Sequence, residues 1–216
     1  MRLFKTIIIL FITSSCIFGQ KTAISNLKFR TLYIDIENPL SIVVSNFPCE
    51  KLLIKVNNGT IKKTDSCQYL LRPINCGSVL IEVWGINGND TSIIDTLNFQ
   101  TKRIPDPIAY SDVKANILGF HCSSIKTIMA KVENLDVETY FKVLSFDVLR
   151  QRKGNVIDSI HYEGDKVDEK YIQLIEKCKK KDIVWFDNIL VMGEDLRTRS
   201  IQPFCFKCKH CRETKF

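Results

Sequence analysis

The sequence has little that could support catalysis. It contains three histidines, His121, His161 and His210, and none has the HExxH or paired spacing of a metal hydrolase. A nucleophile elbow, a phosphate-binding glycine loop and a convincing carboxylate pair are also missing. His121 and Cys122 are adjacent, so their side chains diverge in an extended chain. We therefore expect a protein that is not an enzyme and has no cofactor.

Apolar runs long enough to cross a bilayer are missing after the N-terminus. At the N-terminus, Arg2 and Lys5 precede the apolar stretch 6–12 and a run of small residues, which is the order of a signal peptide. We expect residues 1–20 to be removed and the chain to be exported to the periplasm or cell envelope. The alternative is a lipoprotein anchored through Cys16.

Cysteine is the unusual component. Nine cysteines are encoded, and eight remain if Cys16 leaves with the signal peptide. An even number in an exported protein favours disulfides, although the two halves of the chain hold odd counts. Either a bridge between the halves or free thiols must follow. We expect a buried free thiol at Cys178. The candidate disulfide cysteines are Cys49, Cys67, Cys76, Cys122, Cys205, Cys208 and Cys211.

One cluster near the C-terminus has metal-ligand character. Cys205, Cys208, His210 and Cys211 could supply four zinc ligands. They are crowded into seven residues, and no second knuckle exists, so disulfides or a reactive thiol are the favoured interpretation. A CxxC redox centre would need the N-terminus of a helix, whereas this pair is expected to end a strand.

The first half of the chain predicts an immunoglobulin-like β-sandwich over residues 28–103. Short segments with period-two alternation are separated by turn signals such as Asn57-Asn58-Gly59. Seven short strands in about 75 residues are typical of this fold. The expected strands are 33–36, 40–44, 52–56, 60–63, 68–73, 78–84 and 95–102.

The second half predicts another β-rich domain of sandwich type, over residues 104–208, with one helix. Asp165, three residues before Asp168, is expected to cap this helix. The chain then ends in a basic, flexible tail at 209–216. The apolar face of the helix is expected to hold Tyr171, Ile172, Ile175 and Cys178. The expected strands are 124–133, 140–149, 156–162, 183–189 and 200–206.

A proline-rich segment joins the two halves. Pro105 and Pro107 fix φ and cannot donate to a sheet, and each restricts the preceding residue, Ile104 or Asp106, to extended geometry. Together with Arg103, these residues predict a stiff, extended linker of the kind that connects stacked β-domains. The alternative is a kink in an edge strand within one larger sandwich.

The order of several motifs is similar to that in a known family. The chain resembles the penultimate and last periplasmic domains of the gliding-motility protein GldM and its PorM relatives, over roughly residues 28–208. The motifs of the first half are DIENPLSIVV (35–44), NNGTI (57–61), YLLRP (69–73) and FQTKRIPDP (99–107). Those of the second half are ENLD (133–136), FKVLSF (141–146), LI (174–175) and DIVWFDNI (182–189).

The resemblance implies a non-enzymatic interaction or scaffold module, similar to the distal part of the type IX secretion and gliding shaft. It implies a protein partner in the cell envelope, such as an outer-membrane type IX component, or a second copy in a homodimer. Family members also have a transmembrane helix that couples them to a motor, which we do not expect here. The alternative is a cysteine-based redox or zinc protein. The net charge of +7 is spread along the chain without a nucleic-acid-binding motif, so we expect no nucleic-acid partner.

Overall fold

The structure is a computed structural model. Strands make up 59% of the described residues and helices 8%, which confirms the predicted mostly-β class with one α-helix. The predicted signal peptide and the predicted tail lie outside these residues. No helix within them is long and apolar enough to span a membrane. The structure describes residues 22–25, 31–113, 122–135 and 137–208.

Eight strands form the N-terminal sandwich, which consists of two four-stranded sheets. One sheet has the order β1-β3-β6-β5, and the other has the order β2-β8-β7-β4. All pairings are antiparallel except that of β2 with β8, which is parallel. The strands are β1 (Thr22–Ser25), β2 (Thr31–Tyr33), β3 (Asn38–Val44), β4 (Leu52–Val56), β5 (Thr60–Lys63), β6 (Gln68–Arg72), β7 (Gly77–Asn87) and β8 (Asp90–Lys102).

The core of this sandwich follows from alternation along the strands. In β7, Val79, Ile81 and Val83 are fully buried, whereas the side chains between them are only partly buried. Leu40 and Ile42 of β3 meet them from the facing sheet, within one hydrophobic cluster. Burial of each such aliphatic side chain stabilises the fold by about 2 kcal/mol.

One disulfide lies in this sandwich. Cys49 and Cys67 are bonded, with their Cα atoms 5.3 Å apart. Cys49 begins the 3-10 turn Cys49–Lys51, and Cys67 directly precedes β6. The bond therefore ties the connection between the two sheets to the β5–β6 hairpin.

The predicted strand 33–36 is wrong beyond residue 33. Asp35 has a φ of +63°, so the chain turns there, and Asn38 begins β3. The fully buried side chain of Asn38 explains this geometry. Its Oδ1 accepts from the Tyr33 N–H at 2.8 Å, and its Nδ2 donates to carbonyls on both sides of the turn. It also donates to the Leu71 carbonyl on β6 at 3.1 Å.

The C-terminal unit contains a five-stranded antiparallel sheet, a two-stranded sheet and one helix. The large sheet has the order β12-β11-β13-β14, and β15 also pairs with β13. The small sheet pairs β9 with β10. The elements are β9 (Ile108–Ser111), β10 (Ile128–Lys131), β11 (Phe141–Arg152), β12 (Asn155–Glu163), α1 (Glu169–Glu176), β13 (Ile183–Gly193), β14 (Thr198–Ile201) and β15 (Phe204–Lys207).

Helix α1 covers one face of the large sheet. Tyr171, Leu174 and Ile175 are buried and belong to the same hydrophobic cluster as Phe186 on β13. The predicted cap at Asp165 is wrong. Asp168 is the N-cap, and its carboxylate accepts from the Lys170 N–H at 2.9 Å. Cys178, expected on the apolar face, lies two residues beyond the helix.

Two predicted strands of this unit are wrong in extent. Of the predicted strand 124–133, only Ile128–Lys131 is strand, because the Lys126 N–H donates to the Asp112 carboxylate at 3.1 Å rather than to a ladder. The predicted strand 200–206 is divided into β14 and β15. Pro203 lies between them and has no N–H to donate.

The buried amide of Asn38 provides a test of this fold. We expect Asn38→Asp to lower the free energy of unfolding by about 3 kcal/mol, since a carboxylate would face three carbonyls without hydrogens to donate. Asn98→Asp, at an exposed position on β8, should change it by less than about 0.5 kcal/mol. Urea unfolding followed by circular dichroism measures both. Equal effects at the two positions would contradict the described role of Asn38.

Candidate functional site

The two units meet around the proline-rich segment. Residues 103–107 belong to no helix or strand. Ile104 and Pro107 are buried, whereas Pro105 and Asp106 are exposed. The segment is thus anchored by its apolar side chains and presents the carboxylate of Asp106 on its outer side.

The β13–β14 hairpin contacts this segment through Arg199 on β14, and its loop is closed by backbone hydrogen bonds. The Leu196 N–H donates to the Gly193 carbonyl at 3.0 Å, and the Gly193 N–H donates to the Arg197 carbonyl at 3.2 Å. Leu196 has a φ of +58° and is 75% exposed. The buried carboxylate of Asp195 accepts from the Arg197 N–H at 3.3 Å. The loop is therefore held closed by its own hydrogen bonds.

Arg199 connects this hairpin to the linker. Its guanidinium donates to both carboxylate oxygens of Asp195, with one contact at 3.1 Å, and its Nε lies 3.2 Å from Asp106 Oδ1. It also stacks over the Phe141 ring at 5.6 Å. The Arg199 side chain is only 11% exposed, so these contacts are less screened by solvent than an ordinary surface pair.

Gly193 leaves the space that this arrangement needs. A Cβ atom at this position would lie 2.7 Å from Asp195 Oδ1 and 2.9 Å from Arg199 Nη1. It would also lie 3.0 Å from the Phe141 ring. A larger residue would therefore push the ion pair and the ring apart.

A second ion pair joins the units directly. Arg197 Nε lies 3.9 Å from Asp35 Oδ2, and both side chains are partly exposed. Asp35 belongs to the turn that Asn38 holds, and its N–H donates to the Pro73 carbonyl at 2.9 Å. Because it is partly exposed, this pair adds little stability to the contact between the units.

An acidic cleft of about 600 Å³ lies between the two units beside these ion pairs. Residues 137–140, which precede β11, form one side of it, and Tyr140 is 70% exposed at its edge. Four carboxylates and one guanidinium line it, so it can accept hydrogen bonds from basic groups. The charged residues are Asp35, Glu37, Glu138, Glu194 and Arg72, and the apolar ones are Ile36, Pro39, Leu70 and Val137.

The candidate cysteines of the sequence are dispersed in the structure. Cys76 and Cys205 are exposed free thiols, and Cys208 is buried. Cys205 and Cys208 lie on opposite sides of the chain around β15, because strand side chains alternate and Cys208 is three positions after Cys205. No group of three metal-ligating side chains is present within the described residues.

Several candidates lie outside the described part of the chain. His121, His210 and Cys211 are among them, as is Cys16. Cys122 begins a 3-10 turn.

His161 belongs to a cluster that the sequence did not reveal. Its Nδ1 lies 2.6 Å from Asp147 Oδ1 on the neighbouring strand, and its Nε2 lies 3.3 Å from Glu163 Oε1. The Asn188 side chain donates to the other oxygen of Asp147 at 2.7 Å. The hydrogen bond to Asp147, followed by that to Glu163, raises the pKa of His161. Burial alone would raise the pKa of Asp147. The hydrogen bonds from Asn188 and His161 lower it by more, so the pKa of Asp147 lies below its usual value.

Residues 21–102 match the family described as the GldM third domain. No curated protein matches the chain. Among solved structures, the fibronectin(III)-like modules of Clostridium thermocellum CbhA have 14% identity and a TM-score of 0.29, with 87% of this chain and 92% of that chain covered. The Yersinia pseudotuberculosis adhesin InvE has 12% identity and a TM-score of 0.29, with 88% of this chain and 58% of that chain covered. These TM-scores are too low to support an argument about fold or function.

Replacement of Arg199 tests the junction. We expect Arg199→Met to lower the free energy of unfolding by about 3 kcal/mol, because it leaves the buried carboxylate of Asp195 without its charged partner. Arg197→Met removes the same charge from the same hairpin but breaks only a partly exposed pair, and should cost less than about 0.5 kcal/mol. Urea unfolding of both variants measures the difference. A smaller loss for Arg199→Met than for Arg197→Met would contradict this description.

The raised pKa of His161 predicts a pH dependence. A histidine pKa that is higher in the folded state than the unfolded value of 6.5 stabilises the fold below pH 6.5. This contribution is lost as the pH rises through the folded pKa. The stability advantage of the wild type over His161→Gln should therefore be larger at about pH 5.5 than at about pH 8.5.

An NMR titration of the His161 ring measures the pKa directly. We expect a value above 6.5 in the wild type, and a fall towards 6.5 in Asp147→Asn. A wild-type pKa at or below 6.5 would show that the hydrogen bond to Asp147 does not stabilise the protonated ring of His161.

Proposed function

We propose that the protein is an exported, non-enzymatic module that binds a protein partner in the cell envelope, on the ground that residues 21–102 match the family described as the GldM third domain. The GldM family is an envelope component of gliding motility and type IX secretion. Family membership implies protein–protein interactions within that apparatus. The match over residues 21–102 is the observation that carries the proposal.

We further propose that residues 28–103 and 104–208 are two tandem domains, the second resembling the last domain of the family. Two separate hydrophobic clusters support this division. One contains residues between Leu32 and Phe99, and the other contains residues between Ile125 and Cys208. The segment 103–107 lies between the two clusters, as a domain linker should.

The acidic cleft is the proposed docking surface. Its four carboxylates outnumber its single guanidinium, so the cleft has an excess of negative charge. A partner segment that carries Lys or Arg would complement this charge. Tyr140 presents a ring that is 70% exposed at the edge of the cleft, and tyrosine is enriched at the centres of protein interfaces. The occupant is therefore proposed to be a basic segment with apolar side chains, from an outer-membrane component of type IX secretion.

Site-specific photo-crosslinking in the native host tests this function. A photoreactive amino acid is placed at position 140 in the tagged full chain, and the captured proteins are identified by mass spectrometry. Val156 is the control position because it is 55% exposed at the opposite end of β11 and β12 from Phe141. We expect outer-membrane type IX components to be captured from position 140 and not from position 156.

A matched pair of charge reversals tests the role of the cleft in the same assay. Glu138→Lys should lower capture from position 140 by about tenfold, since like charges would then face the basic partner. Asp90→Lys makes the same charge change at the far end of the β7–β8 hairpin and should leave capture unchanged. Capture of this chain alone would indicate a homodimer, and capture of unrelated proteins would contradict the proposed role.

A further inference from the structure

Exposed lysines gather at one end of the five-stranded sheet. The residue pairing defines this end, because Ile183, the first residue of β13, pairs with Gln151 of β11 on one side and with Lys207 of β15 on the other. The turn between β11 and β12 and the loop between α1 and β13 lie at the same end. Six lysines there are exposed, and we call them the basic end. They are Lys153, Lys177, Lys179, Lys180, Lys181 and Lys207.

A buried ion pair fixes the loop that carries four of these lysines. The Asp182 side chain is 1% exposed, and it accepts from Arg152 at 2.7 Å and from the Lys179 N–H at 2.9 Å. The bond from Arg152 lowers the pKa of Asp182 to about 2, so this carboxylate is charged at neutral pH. Arg150 donates to the Lys177 carbonyl at 2.5 Å. The loop is therefore held by two arginines and not by the charges of its lysines.

The basic end has an excess of positive charge. The acidic residues of the segments that form it are Asp158, Glu176 and Asp182. The two aspartates pair with Arg150 and Arg152. None of the six lysines forms an ion pair within the part of the chain that the structure describes. The dipole of α1 favours lysines just beyond its C-terminus but does not explain those on β15 and in the β11–β12 turn. A surface with many negative groups would complement this charge.

Two exposed aliphatic side chains lie beside these lysines. Val156 is 55% exposed and Ile157 is 42% exposed, at the start of β12, which is an edge strand of the sheet. Val156 pairs with Gln151, and a shift of register there leaves Ile157 without a paired residue on β11. Lysines next to exposed aliphatic side chains are the combination that binds a bilayer surface, where anionic headgroups lie above an apolar boundary.

We propose that the basic end binds the surface of a bilayer that contains anionic phospholipids. The lysines contact the headgroups, and Val156 and Ile157 enter the boundary between headgroups and acyl chains. A lipid surface fits better than a soluble polyanion, since a soluble polyanion would gain nothing from the aliphatic pair.

The inference goes beyond the proposed function and does not depend on it. The acidic cleft adjoins the start of β11, whereas the basic end adjoins its other end, about 35 Å away for a strand of this length. A chain bound to lipid through the basic end would therefore keep the cleft open.

Co-sedimentation with lipid vesicles tests the proposal. The full chain is purified from its native host, where residues 1–20 are expected to be removed, because the apolar stretch 6–12 would itself partition into lipid. Intact mass spectrometry selects protein without that stretch and without a lipid on Cys16. We expect vesicles with about 30% phosphatidylglycerol in phosphatidylcholine to bind the protein at least about tenfold more tightly than phosphatidylcholine alone. Equal binding to the two would overturn the proposal.

A matched pair of triple variants tests the lysines. The first variant is Lys179→Gln, Lys180→Gln, Lys207→Gln. It should lower partition into the anionic vesicles by about 100-fold, since each lysine near such a surface contributes about fivefold. The control is Lys142→Gln, Lys166→Gln, Lys170→Gln, which removes three exposed lysines from the opposite end of the same unit. Its partition should change by less than about twofold. Circular dichroism verifies that both variants are folded, and equal losses in them would contradict the proposal.

A double variant of the aliphatic pair distinguishes a bilayer from a soluble polyanion. Val156→Ser, Ile157→Ser should lower partition into the anionic vesicles by about tenfold, because less apolar surface would leave water. Leu53→Ser, Ile93→Ser, at two exposed positions of the N-terminal sandwich, should leave it unchanged. Unchanged partition of the first variant, together with the loss in the lysine variant, would assign the basic end to a soluble polyanion and overturn the proposal.

Discussion

The guanidinium of Arg199 pairs with the buried carboxylate of its own hairpin and joins that hairpin to the proline-rich segment between the two units. It is nearly buried and binds Asp195 within its own hairpin, Asp106 on the linker and the ring of Phe141. The buried carboxylate of Asp195 stays paired with this guanidinium within the hairpin, and the exposed carboxylate of Asp106 adds a salt bridge from the hairpin to the segment 103–107. Gly193 is small enough to allow the contact.

This constraint explains why the cleft has a defined shape. Its two walls come from different units, and the ion pairs of Arg197 and Arg199 lie beside it. A surface that is ordered before a partner arrives loses less affinity on binding than one that must first be ordered. The rest of the C-terminal unit supports the site by fixing the strands from which the hairpin extends.

Local patterns predicted the parts of the fold that depend on neighbouring residues. The alternation of apolar and polar residues predicted the mostly-β class and strand β4 (Leu52–Val56). The order of the motifs predicted the family. What the sequence did not reveal depends on long-range contacts. The turn at Asp35 is held by Asn38 through bonds to Tyr33 and Leu71, and the helix begins at Asp168 because its carboxylate also accepts from the Tyr162 hydroxyl. The contacts of Arg199 with Asp106 and Phe141, which are distant in sequence, could likewise not be predicted from local spacing.

Residual dipolar couplings of the full chain in a weakly aligned medium test most directly whether the junction fixes the two units. Backbone amide couplings would be measured for strands of both units and fitted to the structure. We expect one alignment tensor to describe all of them, because a rigid junction makes the units tumble together. Two tensors of different magnitude, one for each unit, would contradict the account, since the units would then move independently and the cleft would have no fixed shape.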